Sequence, residues 1–129
     1  MPQHSESSLA QIQQLYNRVN DYLRKNLAAI RLAAAAAASS HNPAERQRHL
    51  DVLEQLKSSR LVLLGLHARV FELEQQYAAS HRSPTEAERR LVSGTRSANA
   101  LVRSINNIAD TLGKVAEFVG IITRLVEIF

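Results

Sequence analysis

Histidines, carboxylates and arginines are the side chains of this 129-residue sequence that could do chemistry, and their spacing limits what that chemistry is. Five histidines are present, His4, His41, His49, His67 and His81. Glu45 and His49 stand four apart, on one face of any helix that contains them, which is a workable start to a metal site. One pair does not make a centre. No second such pair occurs, and neither the Glu-x-x-His spacing of di-iron bundles nor a His-Glu-x-x-His run is present. The chain has no cysteine, which removes thiolate ligands, thiol nucleophiles and disulfides. Glycine-rich phosphate loops and nucleophile elbows are also missing. The expectation is no catalytic residue, no metal and no cofactor, and hence a protein that is not an enzyme.

Two polar constellations remain. Arg60, His67 and Glu74 are one heptad apart and border the apolar seam Leu56, Leu63, Val70 and Tyr77. Asn26 does the same beside Ile12 and Val19. Polar groups at a helical seam fix register or partner number at some cost in stability, and that role is expected for all four. Arg89, Arg96 and Arg103 also repeat every seven residues and form a basic stripe. Its line continues as Asp110, Glu117 and Arg124, so the sign changes. Phosphate contacts would give nucleic-acid affinity, but stacking needs aromatic rings and none lies on this face. With a net charge of +4, nucleic acid is not the expected partner.

These side chains need helices to hold them. Asn42-Pro43-Ala44-Glu45 reads as a helix start: Asn42 caps free amides, Pro43 suits the first helical position and Glu45 completes a capping box. Ser83-Pro84-Thr85-Glu86 repeats the signal. Apolar residues recur at spacings of three and four throughout, and Ala33–Ala38 is a run of the best helix formers. The pattern predicts an all-α, antiparallel up-down-up bundle of three long helices over about 8–39, 43–80 and 84–129, packed in coiled-coil fashion. Residues 1–7 are expected to be a disordered tail and 8–129 a single domain. A break near Gly94, where glycine costs a helix about 1 kcal/mol, would turn three helices into four.

The last predicted helix carries the sharpest signal. Ile105, Ile108, Leu112, Val115, Val119, Ile122, Val126 and Phe129 alternate in threes and fours. On a helical wheel, Ala109, Gly113, Ala116 and Gly120 form a ridge of small residues, and Ile121, Leu125 and Ile128 extend the apolar area beyond what two neighbours would cover. An unbroken third helix would also overhang the bundle by roughly 13 Å. Exposed apolar surface of this sort marks an interaction site.

The expected function is therefore a helical protein–protein interaction module, an adaptor, chaperone or neutralising partner, self-associating through Ala109, Gly113, Ala116, Gly120, Ile121, Leu125, Ile128 and Phe129. A membrane surface is the alternative partner, against which Glu117, Arg124 and Glu127 count. No small-molecule substrate is implied. The polar start of the chain and the lack of about 18 consecutive apolar residues predict no leader and no membrane span, and so a cytoplasmic protein.

Overall fold

The computed structural model of the chain describes the backbone of residues 2–80 and 85–127, and the side chains of residues 9–76 and 89–127. Among the described residues there are five helices and no strand: α1 (Pro2–Ser39), α2 (Pro43–Ser80), α3 (Thr85–Arg103), α4 (Ile108–Gly113) and α5 (Val115–Glu127). The fold is all-α. The expected tail is helical from Pro2 onward, because proline fits the first helical turn and no breaker follows it before Ser8.

α1 and α2 form a hairpin of two 38-residue helices, each about 57 Å long. The turn between them is closed by Asn42. Its Oδ1 accepts the amides of Ala44 at 2.9 Å and Glu45 at 3.3 Å, while Arg46 donates to the Ser40 carbonyl at 2.7 Å. Toward the turn, buried Ala29 and Ala33 of α1 meet Leu56 of α2 in a smaller cluster against which Ile108 and Leu112 of α4 also pack. Further down, Ile12, Leu15, Val19 and Tyr22 of α1 meet Leu63, Leu66, Val70 and Leu73 of α2 in the main core.

The expected third helix is not one helix. It breaks at Ser104–Asn107, and Gly94, the expected weak point, lies inside an intact α3. Capping explains the position. Asn107 is extended (φ −150°, ψ 177°) and its side chain accepts the Asp110 amide at 2.8 Å. Asp110 in turn accepts the Asn106 amide at 3.1 Å, which makes a reciprocal cap one residue wider than usual. The end of α3 is held by Lys25, which donates to the Ile105 carbonyl at 2.7 Å, and by Lys114, which bonds the Ser104 hydroxyl.

After the break the chain doubles back. Arg18 donates to Asn99 at 2.8 Å and Lys25 reaches Ile105, so α3 runs parallel to α1. Phe118 stacks on Tyr22 with ring centres 4.7 Å apart, and Leu125 reaches Gly94, so α5 runs antiparallel to α3. The up-down-up three-helix arrangement is not what is found: α1, α2, α3 and α5 alternate in direction along the chain, with α4 as the corner and the α1–α2 hairpin extending past it. The predicted overhang disappears, since α5 folds onto the core through Phe118, Ile122 and Leu125.

Gly94 has a different use from the one expected. A Cβ built there would fall 2.4 Å from Leu125 Cδ1. The missing side chain is what lets Leu125 seat against the α3 backbone.

Candidate interaction surface

The four polar seam residues all lie between α1 and α2. Asn26 is fully buried; its amide donates to the Leu56 carbonyl at 3.1 Å, and its oxygen receives Arg60 at 3.4 Å. Arg60 also donates to the Leu23 carbonyl at 3.3 Å, so one guanidinium spans the two helices twice. His67 stacks on Tyr16 at a centroid distance of 4.5 Å, and Glu74 accepts from Gln13 at 3.3 Å. Each contact pairs a different level of the two helices, and sliding the hairpin would break all of them together.

Tyr22 of α1 is a polar group that the sequence did not reveal, and it faces α4 and α5. Its ring is buried, and its hydroxyl donates to the Thr111 carbonyl at 2.7 Å, at the joint between α4 and α5. A side chain bonded into a helical ladder is a recognised cause of a kink. Burial pushes the phenol well above the usual tyrosine range.

The candidate metal pair is on the surface, with His49 Nε2 3.9 Å from Glu45 Oε1. Among the described residues no group of three or more His, Asp or Glu side chains converges. The basic stripe is solvated: Arg89, Arg96 and Arg103 are all exposed. Arg89 borders a groove of about 590 Å³ between α3 and α5 that Arg90, Arg124, Ile121 and Leu125 also line.

The expected C-terminal interface is divided by the fold. Ala109 and Gly113 are exposed on α4. Ala116 and Gly120 line a second groove, about 600 Å³, between α5 and α2, with Ser58, Val62, Val119 and Thr123. Ile121 and Leu125 face the other way, toward α3, and Leu125 is buried. These residues therefore do not share one surface. Ile128 and Phe129 lie outside the described residues. Among the described residues no helix is long and apolar enough to cross a membrane.

Other large apolar side chains are exposed, Leu32 of α1 at 60% and Leu50 of α2 at 39% among them. Leu61, Leu64 and Phe71 of α2 are 73%, 43% and 49% exposed. With Ala68 they follow the three-and-four spacing of a helical stripe, on the side of α2 opposite its buried Leu56, Leu63 and Val70. Val62, 52% exposed, lines the α2–α5 groove. The sequence signal was available in Leu61-Val62-Leu63-Leu64-Gly65-Leu66, a run too continuously apolar for a helix with one wet face.

No protein-family model, curated protein or solved structure matches this chain.

Proposed function

We propose that this chain is a helical protein–protein interaction module without catalytic function, and that its contact surface is the outward side of α2 continued into the α2–α5 groove. The observation that carries this is the stripe of Leu61, Leu64 and Phe71, large apolar side chains exposed on the outward side of α2, with the Phe71 ring also leaning on Tyr16 of α1 at 6.2 Å. Scattered surface leucines need no explanation, whereas a contiguous line beside an apolar groove is the pattern of a binding site. The bundle beneath it supplies rigidity, since α2 is pinned to α1 by Asn26, Arg60, His67 and Glu74. The proposed surface thus moves from the C-terminal helix, whose apolar side is largely spent on its own core, to the second helix.

The test is a double variant, Leu61→Glu with Leu64→Glu, compared with wild type as immobilised bait in a lysate of the native host. Circular dichroism confirms that the fold is kept. Loss of the retained proteins on the variant is expected. An unchanged set would remove α2 as the contact surface. Co-sedimentation with neutral and anionic vesicles covers the membrane alternative: binding that depends on the same leucines would reassign the surface to lipid.

A further inference from the structure

Gly65 lies on the exposed face of α2 next to Leu61 and Ala68, and a Cβ built on it would meet nothing within 4 Å. Nothing in the described fold requires glycine there, although glycine inside a helix costs about 1 kcal/mol relative to alanine. What it permits is the close approach of a backbone from outside. Resting on the reading of α2 as the contact surface, we infer that the occupant is α2 of a second copy, packed antiparallel about a two-fold axis between Leu64 and Gly65.

The residues around that point are self-complementary. In this register Leu64 lies level with Gly65 of the second copy, Leu61 with its Ala68, Lys57 with its Glu72 and Glu54 with its Gln75. Large apolar groups meet small ones, and the cation meets a carboxylate. The two-fold repeats every pairing, as an isologous interface requires. At 100° per residue each pair also straddles one line down the centre of the exposed face. Lys57, Leu61, Gly65, Ala68 and Glu72 are all exposed, and Lys57 makes a loose intrahelical pair with Glu54 at 4.0 Å.

Other arrangements fit worse. A parallel pair in register sets Lys57 on Lys57 and Glu72 on Glu72. Sliding the antiparallel pair by one turn places Lys57 over Ala68, or Leu61 over Glu72. The strip from Lys57 to Glu72 is about 23 Å long, and a standard interface buries about 800 Å² per partner. This one is smaller, so a dissociation constant on the order of micromolar is expected.

Sedimentation equilibrium across a concentration series tests the idea with wild type, Lys57→Glu, and the exchanged pair Lys57→Glu with Glu72→Lys. The single change sets two carboxylate pairs against each other and is expected to weaken the dimer about tenfold. The exchange is expected to restore it. The absence of cysteine in the chain permits a second readout. Leu61→Cys mixed with Ala68→Cys should give an intermolecular disulfide under mild oxidation. Leu61→Cys alone should not, since its two copies would stand about 10 Å apart along the axis, beyond disulfide reach. A monomer at every concentration up to about 1 mM, well above the expected range, or an exchange that fails to restore association, would overturn the inference. If the monomer result came with lysate capture that still depends on Leu61 and Leu64, only the second copy would be wrong and the contact surface would stand.

Discussion

Replacing Tyr22 with Phe tests whether the corner of the bundle is clamped as described. The change leaves the ring, and its stacking on Phe118, in place and removes only the hydroxyl, which donates to the Thr111 carbonyl at 2.7 Å. A net intramolecular hydrogen bond is worth about 0.5–1.5 kcal/mol, and a buried acceptor left unpaired adds to the loss. At neutral pH the variant should be less stable by about 1–2 kcal/mol. For a chain of this size that is a fall in Tm of roughly 4–8 °C.

Alkaline pH should reverse the order. The folded phenol titrates above its unfolded value because burial disfavours the phenolate. A raised pKa means that Tyr22 contributes its full stability below the unfolded pKa, about 10. From there that contribution declines by about 1.4 kcal/mol per pH unit until the folded pKa is reached. Phe has nothing to titrate. The advantage of wild type should therefore vanish near pH 11, and the variant should be the more stable protein at pH 12. Tyr16 and Tyr77 are common to both chains and cancel in the difference. Urea denaturation at half-unit steps from pH 7 to 12 measures it. Parallel stability curves for the two proteins would refute the buried, carbonyl-bonded phenol.

Two further outcomes follow from the same geometry. Gly94→Ala should destabilise by about 1 kcal/mol, because the helix-propensity gain is outweighed by overpacking against Leu125, whereas Gly65→Ala, with open space around it, should stabilise dilute protein by about 0.5–1 kcal/mol; equal effects in urea denaturation would contradict the close approach of α5 to α3. Asn107→Ala removes the cap of α4 and should cost about 0.5–2 kcal/mol, with loss of amide protection concentrated at Asp110 and Thr111 in hydrogen exchange; protection unchanged at those amides would show that the break does not depend on the cap.

How far the sequence revealed this fold depended on which signal was read. The turn between α1 and α2 was legible because Asn42 and Pro43 are local signals, and the structure places the cap bonds on Asn42. Glu45 does not show the reciprocal bond expected of it and stands beside His49 instead. The turn predicted at Ser83–Thr85 falls mainly outside the described residues, although α3 begins at Thr85. The break at Ser104–Asn107 was missed because the apolar spacing runs through it without interruption. Ile105 and Ile122 are buried in the main core and Val115 packs against it, while Ile108 packs against the smaller cluster of Ala29, Ala33 and Leu56, so all four face inward although the chain reverses between them. Periodicity reports what faces the core and is silent about whether the backbone bends. Asn106-Asn107 with Asp110 three residues on was the cap signal that would have shown it.

Among the candidate residues, Asn26, Arg60, His67 and Glu74 fall together between α1 and α2, because heptad spacing survives in an unbroken hairpin. The C-terminal set was split because its wheel assumed a helix from 84 to 129. Once the chain folds back, Ala116 and Gly120 turn toward α2 while Ile121 and Leu125 turn toward α3. Tyr22, Lys25 and Arg18 could not be found from spacing at all, because each bonds a residue at least 80 positions away.

The burial pattern also decides where an outside partner can gain most. α5 is 13 residues long and turns Phe118, Ile122 and Leu125 inward, so its strong apolar character is what a short helix needs to dock on a core. α2 is three times that length and already has a complete inner seam in Leu56, Leu63, Leu66, Val70 and Leu73. Leu61 and Leu64 add little to that seam, and a lysine at either would keep the helix propensity while improving solvation, whereas Phe71 also leans on Tyr16 of α1 with ring centres 6.2 Å apart. Gly65 actively weakens the helix that carries them. Two exposed leucines beside one helix-weakening glycine are therefore residues that the folding of α2 does not call for, and a surface pressed against that helix is the physical situation in which all three become favourable at once.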